Sequence, residues 1–423
     1  MGFEAAFSVA VFVLAIAVIT TEKVHRAAVA LAGAVILLLA NILTFDEAIA
    51  AIDWNTLGVL CGMMMFVAVI KHSGLFQWIA IKAAKLAKGD PWKIMVYFII
   101  ITAVLSAFLD NVTTVLLVGP MTFTICRILK LNPVPFFITQ IMASNIGGTA
   151  TLIGDPPNIM LGSMAGLSFF DFLKYDAPCV IIVLVVTILI FRFIYRKQIT
   201  EGVTAESMAE VMQLDEEEAI VDRALFKKSL VMIALIVVFF LLHDTLELKS
   251  SYIALTAAAV MLIIGKQDVE EAIFDVEWPT IGFFLGLFII VGGMEVTGVI
   301  TSLATWIINL TGGNVVLTMI VLLWGSAIFS AFLDNIPFVA AVIPVVLAMQ
   351  ATGMDVTPLW WAISLGACLG GNGTLIGASA NVVLSGISNR EGYPITFVDY
   401  LKVGFPLMIV SIVISTAYLL IIF

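Results

Sequence analysis

Charged residues are scarce in this sequence of 423 residues. Only 12% are Asp, Glu, Lys or Arg and 62% are hydrophobic, whereas a soluble domain has about 25% charged residues. Many apolar runs reach the roughly 20 residues that span a bilayer as a helix. The composition therefore excludes a soluble globular protein. It predicts an all-α polytopic protein embedded in a lipid bilayer and gives no reason to expect a nucleic-acid partner.

Cysteine and histidine are also sparse. The four cysteines lie in or at the ends of apolar segments and have no Cys-x-x-Cys spacing, so we expect neither disulfides nor a zinc site. None of the three histidines lies beside the acidic motifs described below. The sequence accordingly predicts no resident cofactor, no firm metal site and no histidine relay.

A long internal repeat organises the chain. Residues 106–111 return unchanged as residues 330–335, and four other blocks recur in the same order at nearly the same offset. The matching positions are 53–58 with 277–282, 62 and 74 with 286 and 298, 147–154 with 370–377, and 171–174 with 399–402. Repeats of this kind define the architecture. We therefore predict two repeats, 1–199 and 226–423, joined by an acidic cytoplasmic linker at 200–225.

Each repeat carries one carboxylate deep in an apolar run. Asp110 is the only Asp, Glu, Lys, Arg or His in residues 94–126, and Asp334 is alone in the matching run. An intramembrane charge is costly and indicates a functional site. As one helix the 94–126 run would be about 50 Å long against a hydrocarbon core of about 30 Å. We therefore predict two re-entrant hairpins with Asp110-Asn111 and Asp334-Asn335 at their tips. A turn-stabilising role for these pairs is the alternative.

Positive charge predicts the orientation. If each hairpin re-enters, each repeat crosses the membrane five times, and only Lys174 and Lys249 of the 20 Lys and Arg residues lie on one side. The positive-inside rule makes the other side cytoplasmic. The sequence therefore predicts ten transmembrane helices plus two opposed hairpins in the inner (plasma) membrane, with both termini outside. An odd number of crossings makes the repeats inverted, which is typical of secondary transporters.

Two glycine-rich runs, residues 144–158 and 370–381, interrupt apolar segments at matching positions. Paired Gly and Pro disfavour continuous helix, and broken backbone at membrane depth is tolerated only where protein or a water-filled cavity surrounds it. We therefore predict two discontinuous helices whose unwound backbone and polar side chains bind an ion or a polar solute. The candidate side chains are Asn145, Thr149, Thr151, Asp155, Asn158, Asn372, Thr374 and Asn381.

Asp155 has no acidic counterpart, because its match in the second repeat is Ala378. It is therefore a third intramembrane carboxylate, and we expect it to titrate or to bind the coupling ion. The alternative is a cap for the helix that follows, since Asp before Pro-Pro suits a helix start. Both roles can coexist.

The repeated motifs resemble the ArsB/NhaD/P-permease family of the ion transporter superfamily, which is citrate transporter-like, over nearly the whole chain. The strings at 106–114, 145–158, 330–338 and 366–383 are most similar to the melanosomal P protein subgroup. The resemblance implies ten spans, two opposed hairpins, a scaffold that forms a homodimer, and a mobile transport domain with an elevator-type motion. It leaves open the cargo and the docking of a soluble ATPase, because the family includes arsenite exporters and sodium/proton antiporters.

The cargo is predicted from charge and analogy. The motif regions contain three carboxylates and no Lys or Arg, so an anion would be repelled. We therefore predict a proton-coupled secondary transporter of a small inorganic ion, with arsenite or antimonite efflux favoured over sodium/proton antiport. Asp110 and Asp334 are the candidate sodium sites. The hairpin tips of related dicarboxylate carriers read Ser-Asn-Thr rather than Leu-Asp-Asn, which argues against a carboxylate cargo.

Two further alternatives belong to other classes of protein. A channel would use the same polar residues without proton coupling. An intramembrane aspartic protease would also need two membrane aspartates, but the chain has no Gly-x-Gly-Asp element. No enzymatic activity is therefore expected.

Overall fold

The computed structural model describes residues 2–21, 23–199 and 203–423, and within these ranges the chain is built from helices joined by turns and loops, with no strand. The first half contains α1 (Phe3–Thr20), α2 (Arg26–Leu39), α3 (Phe45–Ala50), α4 (Trp54–Lys71), α5 (Leu75–Leu86), α6 (Pro91–Phe108), α7 (Asn111–Ile128), α8 (Val134–Gly148), α9 (Pro156–Ala165), α10 (Phe169–Tyr175) and α11 (Ala177–Tyr195). The linker contains α12 (Ala205–Gln213). The second half contains α13 (Arg223–Leu242), α14 (Ser250–Gly265), α15 (Val269–Phe274), α16 (Trp278–Val296), α17 (Val299–Thr311), α18 (Val315–Phe332), α19 (Asn335–Ala351), α20 (Thr357–Gly370), α21 (Ser379–Arg390) and α22 (Phe397–Ile422).

Nine helices in the described ranges are long and apolar enough to cross a membrane, which confirms an all-α polytopic membrane protein. They are α1, α4, α6, α7, α11, α13, α16, α18 and α22. Three of them are arms of the predicted hairpins, whereas α2 and α14 have only 14 and 16 residues. Helix length alone therefore does not fix the number of crossings, and ten transmembrane helices stays a prediction.

Helices of the two halves pack directly against one another. Helix α2 packs on α16 of the other half, and α4 packs on α14. Glycines at matching repeat positions permit this close approach. A Cβ at Gly62 would lie 2.6 Å from the backbone carbonyl carbon of Ala254, and one at Gly286 would lie 2.4 Å from that of Ala30. The duplication thus produces intertwined halves, so residues far apart in sequence meet between them.

Both predicted hairpins contain a helix break at the tip. Helix α6 ends at Phe108, Leu109 is extended, and Asp110 caps α7; Leu333 and Asp334 occupy the same places between α18 and α19. The arms of each hairpin contact one another. Each arm of the first hairpin has 18 residues, which is about 27 Å of helix. The break is therefore present, while re-entry from opposite sides stays a prediction.

The glycine-rich runs are unwound. Helix α8 ends at Gly148 and α9 begins at Pro156, while α20 ends at Gly370 and α21 begins at Ser379. The helices before the two breaks lie directly against the first arms of the hairpins. A Cβ at Gly147 would lie 2.1 Å from the carbonyl oxygen of Ala103 on α6. Glycine is therefore required there by backbone contact as well as by the break itself.

The linker is partly docked onto the first half. Residues 200–202 of the predicted linker lie outside the described part of the chain. Helix α12 buries Val211 and contacts α5 and α7. Glu216 follows it and pairs with Lys85 on α5, with Lys82 at 3.6 Å. The acidic segment is therefore held against a basic helix.

Candidate functional site

The hairpin tips and the first unwound segment enclose a small cavity of about 20 Å³. Its polar lining comes from Asp110, Asn111, Asp155 and Asn335, together with Arg26, Glu277, Thr280 and Ser379. This volume is sufficient for about one water molecule or a particle of similar size. Four of the predicted site residues therefore meet in one enclosure built from both halves.

Asp155 is the innermost carboxylate of this cavity and is fully buried. Both of its oxygens lie 3.3 Å from Nδ2 of Asn335, the amide at the opposite hairpin tip. Asp155 occupies the N-cap position of α9, as the alternative prediction required, but its side chain makes no cap hydrogen bond. The carboxylate instead joins the two halves.

The two tip aspartates do act as caps, as the alternative prediction required. Asp110 Oδ1 accepts a hydrogen bond from the Thr113 amide at 2.8 Å, and its other oxygen accepts one from the Thr113 hydroxyl. Asp334 Oδ1 accepts from the Ile336 amide at 3.2 Å. Capping leaves Oδ2 of Asp334 free, and this oxygen accepts hydrogen bonds from Arg26 of the other half and, at 3.3 Å, from the Ser379 hydroxyl of its own half.

Arg26 supplies the main partner of Asp334. Its Nη1 donates to Asp334 Oδ2 at 2.8 Å and to the Ser379 hydroxyl at 2.6 Å, and its Nη2 donates to Thr280 at 3.1 Å. The guanidinium also lies over the Phe283 ring, 5.1 Å from its centroid. The motif regions themselves contain no Lys or Arg, but α2 packs on α16 of the second half and brings Arg26 to the hairpin tip.

A wider vestibule of about 360 Å³ lies on the other side of this arginine. Asp334 and His25 line it, and Arg26 and Ser379 line both the vestibule and the small cavity. Arg26 and its partners therefore form the boundary between the two spaces. Asp334 faces the vestibule, whereas Asp110 and Asp155 line the small cavity.

Buried amides connect the halves next to the cavity. Asn145 Nδ2 donates to Asn372 Oδ1 and to Asn381 Oδ1, both at 2.9 Å. Asn145 Oδ1 in turn accepts a hydrogen bond from Asn111 at 3.3 Å. These hydrogen bonds use both amide hydrogens of Asn145, so Asn145, Asn372 and Asn381 hold the unwound segments together and do not line the cavity.

The remaining predicted side chains anchor backbone. The hydroxyls of Thr149, Thr151 and Thr374 all donate to backbone carbonyls. Asn158 Nδ2 donates to the carbonyls of Thr149 and Thr151, at 3.1 and 3.0 Å, and Asn381 binds its own unwound segment in the same way. These groups shape the unwound segments, and none lines the small cavity.

Sequence reasoning missed Arg26, Glu277, Thr280 and Ser379. Glu277 accepts a hydrogen bond from Thr280 at 3.1 Å, and its repeat mate Asp53 accepts one from Thr56 at 2.6 Å. This acid-x-x-Thr pattern lies in a repeated block and could have indicated that Glu277 and Thr280 belong to the site. Arg26 had no such signal, since Ser250 takes its place in the second repeat.

The donor set suits a proton or a monovalent cation better than a transition metal. In the described ranges, no group of three or more His, Cys, Asp or Glu side chains is placed to hold one metal ion. Asp110 and Asp155 share the cavity with two amide side chains and two hydroxyls. Hard oxygen ligands of this kind are those that alkali and alkaline-earth ions prefer.

Comparison with known proteins agrees with this architecture. Residues 16–366 match the citrate transporter family. An uncharacterized transporter of Mycobacterium tuberculosis is 41% identical over 419 residues, which is 97% of each chain. The human P protein is 32% identical over 489 residues, covering 96% of this chain but only 58% of that protein.

A solved structure supports the fold. The YdaH transporter of Alcanivorax borkumensis superposes with a TM-score of 0.59 over 89% of this chain and 87% of that chain, at 13% sequence identity. Such low identity shows the fold alone. The family resemblance expected from the motifs is confirmed by the family match and by the P protein. The chain is therefore a membrane transporter and belongs to the citrate transporter family.

Proposed function

We propose that this transporter is a proton-coupled secondary carrier that exports a small inorganic species, with arsenite or antimonite as its cargo. The observation that carries the proposal is the burial of Asp155 against Asn335 of the other half. Alternating access requires an interaction between repeats that changes during the cycle. A titrating carboxylate at such an interface supplies one.

The charge balance at the site supports a cargo that is not an anion. Four carboxylates surround the cavity and the vestibule boundary, and Arg26 is the guanidinium among them. One cation leaves an excess of negative charge if the acids are ionised, and this excess repels an anion such as citrate. A neutral hydroxide such as arsenous acid meets no such barrier.

Protonation of Asp155 couples the cargo to the proton gradient. Asp110 lines the same cavity as Asp155, and Asp334 lies at its boundary. Neighbouring carboxylates cannot all be ionised at low cost. A proton that enters from outside binds Asp155 and displaces the cargo. The proton leaves to the cytoplasm after the elevator-type motion, which restores the ionised carboxylate and its hydrogen bonds from Asn335.

The family resemblance supports the remaining elements of the proposal. A homodimer would form through the scaffold, in the inner membrane with both chain ends outside. A soluble ATPase is a further partner consistent with arsenite export. Neither is needed for the chemistry at Asp155.

Sodium/proton antiport is the second candidate, and the size of the cavity favours it. A space of about 20 Å³ accommodates a bare cation or one water but not arsenous acid without expansion. Sodium would bind between Asp110 and Asp155. The predicted sodium site at Asp334 would require Arg26 to move, because the guanidinium occupies that carboxylate.

Everted membrane vesicles separate the two candidates. Arsenite export predicts ATP-independent arsenite uptake into everted vesicles that collapses with the proton gradient and is lost in Asp155→Asn. Sodium-dependent dissipation of the proton gradient without arsenite uptake would support antiport instead. An Asp155→Asn protein that transports at the wild-type rate would contradict the coupling role common to both.

A further inference from the structure

A second fully buried carboxylate, Asp176, lies outside the cavity described above. It stands at the corner between α10 and α11 and is fully buried. Its Oδ2 is hydrogen-bonded to the hydroxyl of Ser364 on α20. That same hydroxyl lies 2.7 Å from Oδ1 of Asn158, the amide that holds the first unwound segment. Asp176 is therefore connected to the functional site through one serine.

Counting hydrogens fixes the direction of these bonds. Asn158 Nδ2 already donates to the carbonyls of Thr149 and Thr151, so its Oδ1 is an acceptor. The hydroxyl of Ser364 has one hydrogen and stands between two oxygens. Both contacts are satisfied only when Asp176 is protonated and donates to Ser364, which then donates to Asn158.

The second oxygen of Asp176 agrees with a neutral carboxyl. Oδ1 is buried and has no hydrogen-bond partner within the described residues. An ionised oxygen left without a partner in the interior is much more costly than the carbonyl oxygen of a protonated acid. Both oxygens therefore favour a bound proton.

The facing side chains supply no compensating cation. The titratable side chains near Asp176 are Cys179 on its own helix, Cys368 on α20 and Tyr418 on α22. No Lys, Arg or His is within ion-pair distance of Asp176 in the part of the chain that the structure describes. A proton is thus the group that neutralises this carboxylate.

The arrangement is specific to one repeat. Asn158 and Asn381 are repeat mates, and each holds its own unwound segment. Oδ1 of Asn381 accepts from Asn145, an amide that cannot titrate. Oδ1 of Asn158 accepts instead from Ser364 and from the thiol of Cys368, the repeat mate of Asn145. The hydrogen bond to Asn381 at the second unwound segment therefore does not depend on pH, whereas the hydrogen bond from Ser364 to Asn158 at the first depends on a proton.

We propose that Asp176 is a second proton-binding residue of the transport cycle and controls how firmly Asn158 holds the first unwound segment. This inference rests on the proposed proton coupling and extends it to a residue that does not line the cavity. When the proton leaves Asp176 for water, the Ser364 hydroxyl turns toward the carboxylate. Asn158 Oδ1 then keeps only the weaker thiol donor, and the segment before Asp155 is loosened.

Infrared spectroscopy of the purified protein in lipid nanodiscs tests the bound proton without any cargo. The wild type is expected to show a protonated-carboxyl C=O band at neutral pH that is missing in Asp176→Asn. Asp171→Asn is the matched control, because Asp171 lies on the same corner and its carboxylate, among the described residues, accepts hydrogen bonds from Ser168 alone; it should keep the band. Ser364→Ala should shift the band, since it removes the acceptor of the carboxyl proton. Identical spectra for wild type and Asp176→Asn would overturn the proposal, as would an unshifted band in Ser364→Ala.

Transport measurements test the control of the cycle. Asp176→Asn copies the protonated state, so it should remove the part of the pH dependence of the transport rate that Asp176 causes and leave the part that Asp155 causes, while the protein still folds and binds its cargo. A wild-type rate and pH profile in Asp176→Asn would show a purely structural carboxyl and overturn the role in the cycle. If the wild type moves neither arsenite nor sodium, the proposed function fails, and the infrared spectra still decide whether Asp176 holds a proton.

Discussion

Arg26 Nη1 lies 2.8 Å from Asp334 Oδ2, although 308 residues separate the two in sequence. The arginine opens α2 in the first half, and the aspartate begins the second arm of the hairpin in the other half. Only 23% and 13% of the two side chains are exposed. The pair therefore joins a helix of one repeat to the hairpin tip of the other, at the boundary between vestibule and cavity.

Removing the arginine should destabilise the closed arrangement. Arg26→Gln leaves a partly buried carboxylate without its cation, so we expect a loss of about 1–3 kcal/mol in the free energy of unfolding. Asp334→Asn in the same background should recover part of this loss. Thermal unfolding in detergent measures the stability of each variant in this double-mutant cycle.

The exposed pair Lys71–Asp275 provides the control for this cycle. Its side chains are 42% and 30% exposed, so Lys71→Gln should cost only about 0–1 kcal/mol. Equal losses for Arg26→Gln and Lys71→Gln would mean that the Arg26–Asp334 pair has no special role in closing the boundary.

The helix breaks could be predicted because their cause is local. A carboxylate in an apolar run longer than the membrane is thick requires a turn, and the breaks at Asp110 and Asp334 follow. The paired glycines and prolines likewise predicted the unwound runs. Composition and spacing were sufficient to predict a break wherever the residues of a segment themselves disfavour a continuous helix.

The contacts between halves could not be predicted in the same way. Arg26 reads as an interfacial charge in sequence, and its place at the site depends on the packing of α2 on α16. Asp155 has the sequence of a helix cap, yet its carboxylate bonds to Asn335 instead. These contacts depend on which side chain of the other repeat packs nearby, and a local sequence pattern does not predict that.

The two tip asparagines should differ in importance. Asn335 donates to the Asp155 carboxylate, whereas Asn111 donates to the neutral amide of Asn145. Hydrogen bonds to charged groups contribute about 1.5–3 kcal/mol against about 0.5–1.5 for neutral pairs. We expect Asn335→Ala to lower the transport rate by about tenfold or more and Asn111→Ala to have a smaller effect. Initial rates in vesicles at matched expression measure both, and a larger loss in Asn111→Ala would contradict the assignment of Asp155.

Gly147 should be intolerant of alanine. The added Cβ would lie 2.1 Å from the carbonyl oxygen of Ala103, and backbone on α6 cannot yield without moving the hairpin. We expect a destabilisation of about 1–3 kcal/mol and loss of transport. Gly325 lies inside α18, and a Cβ added there would meet no atom within 4 Å, so Gly325→Ala should be neutral or stabilising by up to about 1 kcal/mol. Melting temperatures of the two variants measure the difference, and similar values would contradict the close contact.

The docking of the linker should depend on pH. The hydrogen bond from Lys85 holds the pKa of Glu216 below its ordinary value. A lowered pKa in the docked state means that the contact is fully present above the ordinary value of about 4.3 and is lost as the pH falls through the lowered one. The segment after α12 should therefore stay on α5 at neutral pH and detach in acid.

Spin labels at Gln213 on α12 and Leu86 on α5, both exposed, test this prediction, because the distance between them increases when the linker detaches. We expect a single short distance at neutral pH that broadens in the wild type below about pH 4. Glu216→Gln should show the broad distribution at every pH, because the amide cannot form the ion pair with Lys85. Glu218→Gln is the control, since Glu218 is exposed and forms no ion pair among the described residues. A short distance that persists in Glu216→Gln would mean that apolar contacts such as that of Val211, rather than the ion pair, hold the linker in place.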